Sequence, residues 1–336
     1  MKVAALGRTQ WLYDSIRACA SAGYKIVLIG TNPSQPEYSV TEKDFKHLAK
    51  ELRCPFFCDK TINRPEYIQM VKQSKAEVAI SVNWQTVVGR KTLEQLNYGV
   101  INVHAGDLPR FKGNACPNWA IVSGEEKVVL TLHLMDETLD GGAILLQREF
   151  PLSANTYIVD IYRFMTESIP PMFVEVLRGL ADGTILPRKQ TPEMSHSLRC
   201  FPRLPRDGEV DWNRSAVDLS RLVHASAEPF AGAYSFIGAD KVIFWRAHPE
   251  TLPYRYLGIP GQVVEIRDSE GSVAILTGEG VLVLEEIEVG GGKRGPASNF
   301  IHSTRIRFGL DIAQVVTQLG DRITQLERKP RHFSKK

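Results

Sequence analysis

Four short apolar runs, separated by stretches of helical spacing, constrain the first half of this chain more than any other feature. They are Lys2–Gly7 (KVAALG), Lys25–Gly30 (KIVLIG), Ala76–Asn83 (AEVAISVN) and Gly99–His104 (GVINVH). Runs this short and this rich in Val, Ile and Ala suit strands buried on both faces. Between them, Trp11–Ala22 sets Leu12, Ile16 and Ala20 on one helical face, with Gly23 as a stop. Thr41 and Asp44 open a helix through Leu52 in the manner of a capping box, and Pro65 suits the first turn of a helix through Gln73. Val128–Met135 and Ala143–Phe150 continue the strand series. Such alternation predicts an α/β fold on a mostly parallel sheet with helices on both faces.

The same pattern excludes the common phosphate-binding versions of that fold. After the first strand the chain reads Gly7-Arg8-Thr9-Gln10-Trp11, with one glycine where a dinucleotide fingerprint needs three. Composition narrows the rest. With 43% hydrophobic and 24% charged residues the 336-residue chain is globular, and its length suggests two domains. Its 41 basic against 38 acidic side chains argue against bulk binding of nucleic acid or a membrane surface. No apolar run reaches the roughly 18–20 residues of a membrane span, and the first residues read as a strand rather than a signal peptide. The five cysteines form no four-ligand zinc pattern, so a reduced, cytoplasmic protein without metal is expected.

The pattern changes toward residue 200. Ser153 is positioned to cap a helix from Ala154 to Gly179, which Pro170 and Pro171 should kink or split. A connector with Pro187, Pro192, Pro202 and Pro205 follows, then a helix at Ser215–Ala227. Short strand-like pieces come next: Ala233–Ile237, Lys241–Arg246, Gly261–Ile266, Ser272–Leu276 and Val281–Ile287. Their spacing reads as a small barrel or sandwich. The expected division is therefore residues 1–200, 201–315, and a basic tail at 316–336 that should be loosely ordered beyond Gly320.

Chemistry concentrates around Asn102 and His104. Separated by one residue in an apolar run, they share a face of a strand, and burying an amide beside an imidazole needs compensation. Asp140, in the turn Leu139-Asp140-Gly141-Gly142, either bonds its own backbone or orients the imidazole. Taken singly, each residue has a structural explanation as good as a catalytic one.

Taken together with their surroundings, they resemble a known family. Ile101-Asn102-Val103-His104, Leu108–Gly113 (LPRFKG), Pro117–Ile121 (PNWAI), Thr131-Leu132-His133 and Met135–Leu145 (MDETLDGGAIL) are similar, in order, to the N10-formyltetrahydrofolate-dependent formyltransferases. Arg206–Trp212 (RDGEVDW) and Pro229–Tyr234 (PFAGAY) resemble the second domain of members with a small C-terminal barrel. The resemblance implies a Rossmann-like formyltransferase domain followed by an OB-like β-barrel, and a catalytic trio at Asn102, His104 and Asp140. It also implies formyl transfer from N10-formyltetrahydrofolate to an amine, without metal. The pterin should lie between the loop carrying Trp84, Gln85, Thr86 and Val87 and the loop carrying Asp136 and Leu139; Trp84 is open between cofactor contact and core packing. One departure stands out: Asp107, close to the site in sequence, is either surface-exposed or paired with a cation on the acceptor.

The likeness is strongest to enzymes acting on nucleotide-linked amino sugars for lipopolysaccharide or O-antigen glycans. Arg8, Thr9, Lys112 and Asn114 are the candidate contacts to such a substrate. The main alternative is a methionyl-tRNA formyltransferase, whose basic insertion after the second strand suits a phosphate backbone. Here Thr31–Val40 contains neither Lys nor Arg. A non-catalytic nucleotide-sugar binder is a further alternative, and the strand-rich second domain offers an interface for a homodimer.

Overall fold

The computed structural model describes residues 1–36, 38–190, 197–251, 255–310 and 312–328, the side chains of 314, 318 and 325–328 excepted. They fall into two compact units. The first comprises Met1–Ala120, Glu125–Leu152 and Asp160–Pro202; the second comprises Ile121–Gly124, Ser153–Val159 and Arg203–Lys336.

The first unit is built on β1 (Lys2–Gly7), β2 (Lys25–Thr31), β3 (Phe56–Cys58), β4 (Val78–Val82), β5 (Val100–His104), β7 (Lys127–Leu134) and β8 (Ile144–Pro151). Their order across the sheet is β3-β2-β1-β4-β5-β7-β8. The five on the β3 side run parallel, and the last two are antiparallel. The helices α1 (Thr9–Ser21), α2 (Glu42–Glu51), α3 (Pro65–Ser74) and α4 (Arg90–Leu93) supply the connections. The capping-box expectation at α2 holds in detail, since the Asp44 carboxylate accepts from the Thr41 N–H at 2.8 Å. The buried strands carry Val3, Leu6, Leu28, Ile29, Val78 and Ile80, all with no exposed surface.

A small parallel ladder pairs β6 (Phe111–Gly113) with β9 (Leu198–Cys200), across most of the unit's sequence. Neither strand, nor the short edge strand β3, is apparent from periodicity. Between them lie α5 (Cys116–Ser123) and α6 (Ile158–Asp182). The helix α6 corrects the expectation at Ser153: it begins at Ile158, because Ser153 and Thr156 instead close a local turn, the Thr156 hydroxyl accepting from the Ser153 N–H at 2.9 Å. Nor do Pro170 and Pro171 split it. Each interior proline costs about 3 kcal/mol, but Ile169, Met172, Phe173, Val176 and Leu177 are completely buried around them. At about 1.5–3 kcal/mol per large apolar side chain, that burial outweighs the lost backbone bonds.

The second unit holds α7 (Ala216–Ser226), capped by Ser215, whose hydroxyl accepts from the Asp218 N–H at 3.1 Å. Its sheet consists of β10 (Ala233–Gly238), β11 (Asp240–Glu250), β12 (Val263–Arg267), β13 (Ser272–Leu276), β14 (Val281–Val289), β15 (Lys293–Pro296) and β16 (Gly309–Leu310). The order is β12-β13-β14-β11-β10-β16, with β15 on β14. The residues just before β16 reach back to the start of β12: Val263 N–H donates to Ile306 O and Phe308 N–H to Gly261 O. The sheet thus curls toward a barrel around Trp212, Phe244 and Phe308. The tail expectation needs correction: α8 (Ile312–Arg328) continues as helix past Gly320, where a loosely ordered chain is expected, and residues 329–336 lie outside the described residues.

Candidate active site

Strand register assembles the site. Across β5 and β7, Asn102 stands opposite His133 and His104 opposite Thr131, so the period-two alternation of both strands aims Asn102, His104 and His133 at one face. Asp140 arrives from the loop after β7. It adopts φ +49°, a left-handed conformation that aspartate tolerates better than most side chains. The following turn needs glycine, because a Cβ on Gly142 would come within 1.8 Å of the Leu134 carbonyl oxygen. Gln190 fastens the turn by donating to Asp140 O at 2.8 Å and Gly142 O at 2.7 Å.

The hydrogen bonds define the protonation pattern. A backbone carbonyl only accepts, so His104 Nε2, 2.8 Å from Phe111 O, carries a proton. His104 Nδ1 is thereby left toward Asp140 Oδ2 at 3.7 Å. That carboxylate oxygen also accepts from the Gly113 N–H at 2.8 Å. The imidazole lies so close to the chain that a Cβ on Gly106 would meet His104 Nε2 at 2.3 Å and Phe111 O at 2.4 Å. This accounts for Gly106 two residues beyond the histidine.

His133, which the residue pattern alone did not single out as a site residue, completes the cluster. Its Nδ1 lies 2.9 Å from Leu134 O and must donate. Its Nε2 is then the acceptor for Asn102 Nδ2 at 3.2 Å. Burial, and secondarily the neighbouring His104, lower the pKa of His133 from its usual 6.5, which keeps this acceptor available. Only the strand pairing across β5 and β7 reveals the role. Cys116 Sγ is 3.7 Å from His104 Nε2; burial pushes its thiol far up, so it stays protonated and is a poor nucleophile.

Asn102, His104, His133 and Asp140 line a cavity of about 470 Å³, within the range that holds a small-molecule ligand. Trp84, Gln85, Thr86, Val87, Asp136, Leu139 and Asn114 are on its wall too. Trp84 does both things left open for it: it lines the cavity, and it packs against the core beside Phe57. The lining also includes Trp11 of α1 and Tyr162 and Met165 of α6, residues with no local motif to mark them.

Three candidates stand apart from that wall. Lys112 is in β6, paired with Arg199. Arg8 and Thr9 follow β1, and Arg8 lies over the Tyr38 ring at 5.0 Å. Asp107 also lies outside the cavity. It is a turn residue whose carbonyl accepts from the N–H groups of Arg110 and Phe111, and burial pushes its carboxyl pKa up. Among the described residues, no group of three or more His, Cys, Asp or Glu is placed to hold a metal, and no helix is long and apolar enough to cross a membrane.

Residues 1–177 match the formyl transferase family and residues 204–305 its C-terminal domain. The chain belongs to the formyltransferase family, whose members transfer a formyl group. A methionyl-tRNA formyltransferase from Citrifermentans bemidjiense is 27% identical over 314 residues, covering 92% of this chain and 95% of its own. An N-formyltransferase from Helicobacter canadensis, solved with folinic acid and dTDP-3-aminofucose, shares the fold at a TM-score of 0.59 and 16% identity, covering 84% of this chain and 98% of that one. HypX from Aquifex aeolicus, solved with tetrahydrofolic acid, aligns at a TM-score of 0.55 and 20% identity over 90% of this chain. The present chain spans about half of the HypX length, 47%.

Proposed function

We propose that the protein transfers the formyl group of N10-formyltetrahydrofolate to the primary amine of a nucleotide-linked amino sugar, as used in lipopolysaccharide-type glycans. Asn102, His104 and Asp140 are the catalytic residues. Because one N–H of Asn102 Nδ2 is spent on His133, the other is free to donate to the formyl oxygen as it becomes an oxyanion. Losing one such donor typically costs about 3–4 kcal/mol of barrier. The attacking amine passes its proton to His104 Nδ1. The Asp140 carboxylate, 3.7 Å away, balances the imidazolium charge, and the same proton is returned to the folate nitrogen as the C–N bond breaks. Trp84, Gln85, Thr86, Val87, Asp136 and Leu139 hold the folate, and Asn114 orients the acceptor, with Lys112 nearby in sequence.

The acceptor assignment rests on Arg8. Its Nε and Nη1 are buried without a hydrogen-bond partner, as are the Thr9 hydroxyl and Asn32 Oδ1. All three residues follow the carboxyl ends of adjacent strands, where open α/β sheets bind ligands. A pyrophosphate would satisfy the guanidinium and the hydroxyl. The loop from Thr31 to Val40 carries Tyr38 against Arg8 and has no cation for a tRNA backbone. The extent of the match to a methionyl-tRNA formyltransferase keeps that acceptor as the second reading.

The decisive experiment offers the purified protein N10-formyltetrahydrofolate with either a panel of nucleotide-linked amino sugars or charged methionyl-tRNA. Release of tetrahydrofolate is read by absorbance, and the acceptor's gain of one formyl group by mass. Turnover with a nucleotide sugar supports the proposal. Turnover with tRNA alone transfers the assignment to the second reading. Binding of a nucleotide sugar with no folate released would instead make the chain a binder.

A further inference from the structure

The loop that joins β4 to α4 supplies Trp84, Gln85, Thr86 and Val87 to the cavity wall, yet its backbone has little to hold it. Among the described residues, no hydrogen bond between backbone groups involves residues 83–88. Asn83 opens the loop in a left-handed conformation at φ +57°. Trp84 and Val88 pack against the core cluster that includes Phe57. Between them the wall is bare, and Val87 is left 66% exposed. Backbone without partners of its own takes its shape from whatever side chains reach it.

Those side chains come from the loop after β3. Asn63 Nδ2 donates to Val87 O at 2.8 Å, and Asn63 Oδ1 accepts from the Gly89 N–H at 2.7 Å. Both are well-formed bonds. The carbonyl belongs to the peptide before Val88 and the N–H to the peptide after it, so one amide fixes both planes around that residue. A second tie runs alongside: Thr86 Oγ1 donates to Lys60 O at 3.1 Å and accepts from Trp84 Nε1 at 3.2 Å. Asn63 is itself held in place. Its N–H donates to Thr61 Oγ1 at 3.2 Å, and the Thr61 N–H donates to Asp59 Oδ1 at 3.1 Å. Asp59 is in turn paired with Arg64 at 2.9 Å.

We infer that Asn63 is a positioning residue for the folate co-substrate, an inference that rests on the reading that Trp84–Val87 hold the folate and is independent of which amine is formylated. Asn63 stands outside the cavity lining. Its part is to keep the wall in one arrangement before the ligand arrives, so that binding does not have to order the loop. Both of its bonds to the loop are exposed. Their loss therefore opens no void in the core and loosens the wall without weakening the fold.

Titration calorimetry of the full chain with folinic acid tests this without any acceptor. Asn63→Ala should raise the dissociation constant roughly 10-fold, the scale of two ordinary hydrogen bonds. Asn63→Asp should do no better. It keeps the size, the polarity and the oxygen facing Gly89, but it sets a carboxylate oxygen against Val87 O, where a donor is needed. Thermal unfolding should match the wild type in both variants, and the Gly89 amide should exchange its hydrogen faster. Val87→Asp places a charge on the wall itself and should weaken binding at least as much. An unchanged dissociation constant in Val87→Asp would mean that the folate lies elsewhere, and would take the underlying reading down as well. Weakened binding in Val87→Asp with wild-type binding in either Asn63 variant would leave the folate on this loop but remove Asn63 as the residue that positions it. Asn63 variants that melt well below the wild type would make the residue a support of the fold, which also overturns the inference.

Discussion

Two polar clusters are built on strands of one sheet, and they are completed in opposite ways. On β5 and β7 and the loops beside them, His133 receives Asn102, Leu134 O receives His133, Phe111 O receives His104, and Asp140 receives Gly113. Beyond β1 and β2, nitrogens of Arg8, the hydroxyl of Thr9 and the carbonyl of Asn32 are buried with no partner. An unsatisfied buried polar group costs about 1–3 kcal/mol, and a charged one more. The first cluster is satisfied within the protein. On the function proposed above, the second is completed by the acceptor's pyrophosphate. The contrast separates effects on turnover from effects on affinity.

The largest expected effects belong to the first cluster. His104→Ala and Asn102→Ala should each lower kcat on the order of 10²–10⁴ while leaving KM for either substrate within a few-fold. Steady-state kinetics with both substrates varied would show this. Retention of near-normal kcat in both variants would remove these residues from the chemistry.

In the second cluster Arg8→Met should act the other way. KM for the nucleotide sugar should rise roughly 10–100-fold with little change in kcat, since the lost contact is uniform binding. Without substrate the variant should melt no lower than the wild type, because a buried guanidinium with unmet donors is costly to keep. A nucleoside diphosphate should raise the melting temperature of the wild type only. A variant that melts well below the wild type, with KM unchanged, would make Arg8 structural and dissolve the contrast.

A smaller effect is expected at His133. His133→Phe leaves Asn102 Nδ2 without its acceptor and frees the amide to turn, which should cost kcat roughly 10-fold at unchanged KM. His133→Gln, which can offer a carbonyl oxygen at that place, should recover part of the loss. Equal losses in both variants would mean that the imidazole acts by shape rather than as an acceptor.

How much of this was legible beforehand differs between the clusters for a physical reason. β1, β2, β4 and β5 are visible in the sequence because burial on both faces demands unbroken apolar runs. The pairing of Asn102 with His104 follows from alternation within one strand. His133 does not follow, because its significance depends on the β5–β7 register, a contact between segments that no local period encodes. Trp11, Tyr162 and Met165 are hidden for the same reason: on their helices they look like ordinary amphipathic residues. The β6–β9 ladder joins residues far apart in the chain and leaves no mark on composition. The helix α8 is not legible either, because the basic, polar composition of the tail outweighs its apolar spacing. The prolines of α6 misled because a local rule was applied where tertiary burial decides.

The finest test of the first cluster is its response to acid. Burial and the neighbouring His104 hold the pKa of folded His133 below the 6.5 expected of the unfolded chain. As pH falls through 6.5 the unfolded state takes up a proton before the folded state does, so stability present at neutral pH is progressively lost. The loss continues until pH reaches the lower, folded value, and is flat below it. Over that window one proton contributes a slope of about 1.4 kcal/mol per pH unit. Protonation also places an N–H where Asn102 needs an acceptor, so kcat should fall along with stability. Urea unfolding on either side of pH 6.5 measures the slope, and in His133→Gln it should be shallower by up to that one proton. Identical slopes in wild type and variant would mean that His133 titrates alike in both states, and that the amide of Asn102 is fixed by something other than a neutral ring.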